Sequence, residues 1–254
     1  MKENIKTLIL KAKKGNPKSQ HELAFEYWSG KNIKKDYSEA MRLWKLSASK
    51  DFAKAYYNLG CMYMNGWGTH INYKKSYYYF NLSIKQKHTY QSTSYFILGQ
   101  KFYLDGRGGK KNIKKGIKYV NIAVKKNNVI AQYLLGSYYD DSTDISYNIK
   151  KDNAIAFKYY KMAADNKFIQ ALHQIATMYI HGRGVDKNFK KAYKYLNIIE
   201  TTDNDKLIND FSLLPDAQTE VKKMANKQKL KVAKFLFKTR KRIEKNPELE
   251  KLIN

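Results

Sequence analysis

Gly106-Arg107-Gly108-Gly109-Lys110-Lys111 has the glycines and lysines of a loop that wraps a phosphate in backbone N–H groups. It lacks the Gly-x-x-x-x-Gly-Lys-Ser/Thr spacing and the preceding strand which that chemistry needs. Asp140-Asp141-Ser142-Thr143-Asp144 gathers carboxylates as a calcium loop does, but there is no glycine at the sixth position. Lys151 stands where a bidentate glutamate would close the site. The histidines, at 21, 70, 88, 173 and 181, show no metal-ligand spacing with one another or with Cys61. His173 and His181 lie eight residues apart, about 12 Å along a helix axis, too far to share one ion. Cys61 sits between apolar residues and reads as a buried, inert thiol. No Ser–His–Asp set or carboxylate pair stands out, so no catalytic residue, metal or cofactor is expected.

Lysine is the residue that recurs. Lys34-Lys35, Lys110-Lys111 and Lys150-Lys151 precede Asp36, Asn112 and Asp152, while Lys74-Lys75, Lys114-Lys115 and Lys190-Lys191 follow Asn72, Asn112 and Asn188. Forty-nine Lys and Arg oppose 22 Asp and Glu, a formal charge of +27. Such a field favours anionic partners: an acidic protein, a nucleic acid or a phospholipid surface. An AT-rich coding bias, which enriches Lys, Asn, Ile and Tyr together, accounts for the same excess, and both readings stay open. Near the C-terminus, Lys222–Lys245 carries eleven basic residues and one acidic residue, with Phe235 and Phe237 among them. That segment reads either as a capping helix with a basic outer face or as a nucleic-acid or membrane contact.

The positioning elements follow from a spacing. An Asp or Asn stands four residues before a small residue at Asp36–Ala40, Asn72–Ser76, Asn112–Gly116, Asp152–Ala156 and Asn188–Ala192, at intervals of 36, 40, 40 and 36 residues. Asp and Asn side chains cap helix N-termini by accepting an otherwise unpaired N–H. A cap recurring at this period means one two-helix unit stacked about five times. Each unit reads as helix A, a turn and helix B. In the second, Ala55, Leu59, Gly60 and Tyr63 recur at helical spacing, Gly66-Trp67-Gly68 makes the turn, and Asn72 opens helix B. No run of apolar residues is long enough to span a membrane. The start, MKENIKTLILKAKKG, lacks a signal-peptide cleavage site, and the lone cysteine suits a reducing compartment. A cytoplasmic protein is expected, with secretion as an effector lacking a readable signal as the alternative.

The pattern Ala-x-x-x-Leu-Gly-x-x-Tyr-x-x-Gly-x-Gly-Val, then Asp, Ala, an aromatic and Ala-Ala, resembles the Sel1-like repeat family, relatives of the tetratricopeptide repeat. The resemblance covers about residues 12–200. It implies an all-α, right-handed α-α superhelix with repeats near 16–51, 52–87, 92–127, 128–166 and 167–200. A half repeat at 4–15 precedes them, and basic capping helices over 201–254 belong to the same domain. There are departures from the pattern. The third unit has one extra residue between Gly99 and Gly106, and carries Gly116 and Val120 in helix B, which costs that helix about 1 kcal/mol for the glycine. The fourth lacks the turn glycines and is longer over 140–147. Gln86–Ser92, between units two and three, is also lengthened.

In superhelices of this kind the A helices line the concave face. Positions two before the Leu of Leu-Gly, and two and five after it, are expected to point inward. They are His21, Phe25 and Trp28 in the first unit, and Tyr57, Cys61 and Met64 in the second. Phe96, Gln100 and Tyr103 follow in the third, Tyr133, Ser137 and Asp140 in the fourth, and His173, Thr177 and Ile180 in the fifth. Aromatic anchors on such a wall suit a protein or peptide ligand. The resemblance implies a non-catalytic interaction scaffold binding a partner protein or peptide, with neutralisation of a toxin or effector, or a role in bacterial host interaction, as narrower forms. The lysine pairs and the basic C-terminal helix supply the alternative, nucleic-acid or anionic-surface binding.

Overall fold

A computed structural model of the chain describes residues 5–144, 147 and 149–201. Every regular element among them is helical. The order is α1 (Ile5–Lys13), α2 (Pro17–Ser29), α3 (Tyr37–Ala48), α4 (Ala53–Asn65), α5 (Tyr73–Ser83) and α6 (Gln91–Ile97), which continues as a π-helix over Leu98–Leu104. Then come α7 (Ile113–Lys125), α8 (Val129–Tyr139), α9 (Asn153–Asp165), α10 (Ile169–His181) and α11 (Phe189–Thr201). The expected basic helix near 217–245 lies outside the described residues. The chain divides between Lys126 and Asn127 into two compact units. The first holds α1 to α7, with α2 on α3, α4 on α5 and α6 with its π-helix on α7; the second holds α8 on α9 and α10 on α11.

The local reason for each hairpin is the same five times. Asp36, Asn72, Asn112, Asp152 and Asn188 accept from N–H groups in the first turn of helix B at 2.8–3.0 Å. The N–H of each capping residue in turn donates to the carbonyl of the A-helix tyrosine, Tyr27, Tyr63, Tyr103, Tyr139 or Tyr179, at 2.8–2.9 Å. The cap therefore starts helix B and fastens it to the end of helix A in one step. The small residue four positions on is buried in every repeat, as is the larger residue eight positions on: Trp44, Phe80, Val120, Tyr160 and Leu196. These bulky side chains reach helix A where it carries glycine. A Cβ on Gly60 would stand 3.0 Å from the Phe80 ring, and one on Gly136 would stand 2.7 Å from that of Tyr160. Small residues on both helices thus set the short interhelical distance.

The third repeat absorbs its extra residue as the π-helix Leu98–Leu104, a single-turn widening of the hydrogen-bond ladder. The widening brings Tyr103 back into step, so that its carbonyl still meets Asn112. It also drives Leu104 into the space over Gly116, where a Cβ would lie 2.5 Å from the leucine Cδ2. The glycine at this cap-plus-four position is the counterpart of the insertion. The lengthened 86–92 segment is knit by His88. Its Nε2–H donates to the Ser83 carbonyl at 2.8 Å, and its Nδ1 accepts from Tyr90 N–H at 3.2 Å.

Candidate interaction surface

The fifteen A-helix positions separate into two classes. His21, Trp28, Tyr57, Cys61, Tyr103, Ser137 and Asp140 are buried, while Phe25 is exposed and Met64, Phe96, Gln100, Tyr133, His173, Thr177 and Ile180 are half-buried. Phe25, 45% exposed, lies over the buried Trp28 with ring centroids 5.4 Å apart. Gln100 donates to Asp105, which also pairs with Lys101. Tyr133 rests against Tyr160 and Phe168, and Thr177 donates to the His173 carbonyl.

The solvent-facing stripe of the A helices keeps two of the expected positions, Phe25 and Thr177. On α2 it comprises Lys18, Glu22, Phe25 and Ser29, and on α10 Gln170, Gln174, Thr177 and His181; on α4, Lys54 and Asn65 reach solvent while Asn58 and Cys61 between them are buried. Two of the positions that follow the Leu by five, Trp28 and Asp140, are sockets between repeats, while Met64 and Ile180 stay half-buried. Trp28 receives Trp67 from the next turn at 5.7 Å, and Asp140 receives Arg183 from the turn of the fifth repeat at 2.7 Å. The polar residues Lys18, Glu22 and Ser29 of α2, and Gln170, Gln174, Thr177 and His181 of α10, at helical spacing, were the available sequence signal for the exposed stripe.

Burial sets the chemistry of the sealed positions. It pushes the Cys61 thiol up to about 12, against the opposing hydrogen bond from Tyr57, so the group stays protonated and unreactive. His21 packs on Phe52 and Trp44, with the Asn58 amide 3.5 Å from its Nδ1. Desolvation, reinforced by Lys54 and His88, lowers its pKa from 6.5 to about 4. The unfolded chain therefore takes up this proton well before the folded one does. The stability is fully present above pH 6.5 and declines as the pH falls towards 4. Unfolding free energy should drop by about 2 kcal/mol between pH 7 and pH 5 from this group alone. A His21→Gln variant should flatten that slope in denaturant titrations at the two pH values; an unchanged slope would show that His21 does not carry it.

The lysine pairs take up distinct places. The stems of Lys35 and Lys111 lie on the first turn glycines, Gly30 and Gly106. Lys75, Lys115 and Lys191, three residues after their caps, sit over the A-helix rings of Tyr63, Tyr103 and Tyr179 at 5.3, 4.5 and 5.5 Å. Lys151 folds inward onto the Asp140 and Thr143 carbonyls. Lys34, Lys74, Lys110, Lys114, Lys150 and Lys190 are exposed. The charge is unevenly spread. Residues 5–126 carry 25 Lys and Arg against 6 Asp and Glu, whereas residues 127–201 carry 10 against 7. Among the described residues no three His, Cys, Asp or Glu side chains group as a metal would need, and no helix is long and apolar enough to cross a membrane.

Sel1 repeats match residues 17–52, 53–88, 92–128, 129–168 and 169–198, the same hairpins that the caps and turn glycines define. The chain belongs to the Sel1 repeat family. Sel1 repeat proteins act as protein–protein interaction scaffolds and are generally non-catalytic. Among solved structures, c5321, a protective antigen present in uropathogenic Escherichia coli strains and displaying an SLR fold, superposes with a TM-score of 0.67 at 25% identity. The match covers 77% of this chain and 40% of the antigen, so the Sel1 chain spans less than half of that protein's length. A Sel1 repeat protein from Oxalobacter formigenes gives a TM-score of 0.67 at 22% identity over 84% of this chain and 88% of its own. The immunity protein Pa5087 from Pseudomonas aeruginosa is more distant, with a TM-score of 0.49, 15% identity, and coverage of 85% and 81%. Among curated proteins, none matches this sequence.

Proposed function

We propose that this Sel1 chain is a non-catalytic adaptor that holds a partner protein or peptide on the open side of its A helices. The observation that carries the reading is the set of apolar and aromatic side chains left in contact with solvent there. Phe25, Met64 and Phe96 lie in the first unit; Tyr133, His173 and Thr177 lie in the second. Phe25 lies over the Trp28 ring and Tyr133 rests against Tyr160 and Phe168, so these two are positioned before a partner arrives. Preorganised aromatic anchors lose little conformational entropy on binding and are the usual centres of interface energy. The site chemistry agrees with a binding role: the one thiol is buried and protonated, and His21 is held neutral inside the core. Wrapping a toxin or effector so as to neutralise it is one form of this activity.

The test is affinity capture from native extract, followed by rebinding of the purified captured protein. A stoichiometric partner is expected. Its affinity should fall by about 2 kcal/mol or more when Phe25→Ala and Phe96→Ala are combined. Phe25 is exposed, so its loss should leave thermal unfolding of the first unit nearly unchanged. Capture of nothing stoichiometric, or a partner indifferent to both substitutions, would sink the adaptor reading.

A further inference from the structure

The lysine-over-tyrosine pairs are more than packing. In the second repeat Lys75 lies over Tyr63, whose ring stacks on Tyr79 at 5.6 Å and 4°. In the third, Lys115 lies over Tyr103 at 4.5 Å and Tyr119 at 5.9 Å, the two rings being 5.2 Å apart. A hydrogen bond of 2.7 Å between the Tyr77 and Tyr103 hydroxyls ties helix α5 of the second repeat to the third. Both rungs are therefore anchored within one compact unit, the unit that holds 25 basic residues against 6 acidic ones in its described part. Lys74, Lys110, Lys114 and Lys118 belong to the same two repeats and are exposed. No ion pair among the described residues reaches any of these six lysines.

Fold stability does not ask for these charges. A lysine in the first turn of a helix opposes the helix dipole. In the fourth repeat the equivalent position is Ile155, and Tyr139 and Tyr159 stack there all the same, 6.0 Å apart at 18°. A neutral side chain thus serves the same rung. What the lysines add is a set of ammonium groups, two of them held over ring faces, with no carboxylate partner among the described residues.

We infer that this basic face of the first unit, centred on Lys75 and Lys115, docks an acidic segment of a partner protein, one rich in Asp and Glu. One feature favours carboxylates over nucleic acid. Single-stranded nucleic acid binds by stacking bases on open aromatic faces, whereas here lysine ammonium groups lie over the rings. Ammonium groups already fixed on rings lose less rotamer freedom on pairing than free lysines do. The substitutions that test it, at Lys75 and Lys115, are not those that test the adaptor reading, at Phe25 and Phe96, so either can fail while the other stands.

The experiment uses the full chain with two fluorescent probes of equal net charge, an oligoglutamate peptide and a single-stranded oligonucleotide, read by anisotropy at physiological ionic strength. The peptide is expected to bind more tightly. Lys75→Gln with Lys115→Gln should weaken it about tenfold, and Lys75→Arg with Lys115→Arg should restore it. Lys158→Gln with Lys167→Gln, which removes the same charge from the second unit, should change it little. If the first pair fails to fold, Lys114→Gln with Lys118→Gln is read in its place, with a loss of similar size expected. Equal weakening by the second-unit pair, no peptide binding, or tighter binding of the oligonucleotide would each overturn the inference.

Discussion

Asp140→Ala should be among the most destabilising single substitutions in the second unit, at about 3 kcal/mol in thermal or denaturant unfolding. The Asp140 side chain has no solvent exposure, and its Oδ1 accepts from Arg183 Nη1 at 2.7 Å, from Ser142 N–H at 2.9 Å and from Ser142 Oγ at 2.7 Å. Its Oδ2 accepts from the Tyr160 hydroxyl at 3.1 Å. Burial alone would raise its pKa, but the Ser142 bonds, Arg183 and Tyr160 outweigh it and hold the carboxyl below the usual range. Its contribution is therefore present at neutral pH and is lost as the pH falls through that lowered value. The alanine leaves a buried hydroxyl, a serine and a guanidinium without their acceptor. The guanidinium is one-fifth exposed and has Asp141 at 3.7 Å, which places the expected loss at the lower end for a broken buried pair. Asp140→Asn keeps one acceptor oxygen and should lose less. Adding Arg183→Met to Asp140→Asn should cost less than the two single losses combined, because the unpaired charge disappears with its partner. A loss below about 1 kcal/mol in the alanine variant, or strict additivity in the double variant, would refute the network as a unit.

The same residue shows where sequence reading stops. Capping Asp and Asn residues announce themselves through spacing, because a cap needs one residue type at one place and its bond is local. The turn glycines and the small residues four after each cap are equally legible, and together they fixed the hairpins. Which A-helix side chains stay open is a different kind of fact. One residue turns a helical position by about 100°, so a small error in choosing the inward face exchanges solvent for core. The position five after the Leu was expected on an open wall. In the structure Trp67 closes over Trp28 and Arg183 over Asp140, and neither closure depends on the helix's own pattern. The extra residue of the third repeat was visible as a departure. Its resolution as a π-helix, with Leu104 seated over Gly116, depends on contacts between two elements.

The lysines illustrate the complementary case. Their recurrence beside the caps was plain, and so was the conflict with the helix dipole. The rings beneath Lys75, Lys115 and Lys191 belong to another helix of the hairpin, twelve residues earlier in the chain in each instance. That constant separation survives the inserted residue, because the π-helix restores the tyrosine to its place. Part of the lysine excess is thereby assigned to ring packing and turn covering.

Gly68→Ala should be more costly still, because it attacks the stacking of one repeat on the next. Gly66-Trp67-Gly68 has two glycines with positive φ, +74° and +65°, and they do different work. Gly66 ends α4, and a Cβ there would meet the Ile71 side chain at 3.0 Å, which can yield. A Cβ on Gly68 would lie 2.6 Å from the Tyr37 carbonyl oxygen and 2.7 Å from its carbon, at the start of helix α3 in the preceding repeat. That is backbone already committed to a helix, so the repeats must part. Gly184 stands in the same relation to Asn153 in the second unit, while a Cβ on Gly108 would meet Tyr73 through the tyrosine Cβ, at 2.9 Å. The strain of a left-handed alanine, about 1–2 kcal/mol, adds to an overpacking cost of about 1–3 kcal/mol. Gly66→Ala should show only the strain. Gly109→Ala, with nothing within 4 Å of its Cβ position and no positive φ, should be neutral or raise stability by up to about 1 kcal/mol through the unfolded chain. Denaturant unfolding of the three variants should rank Gly68 well below Gly66, and Gly66 below Gly109. If Gly68→Ala were no worse than Gly66→Ala, the second turn glycine would not be the point at which one hairpin rests on its neighbour, and the stacking would have to depend on ring contacts such as that of Trp67 with Trp28 and Tyr37.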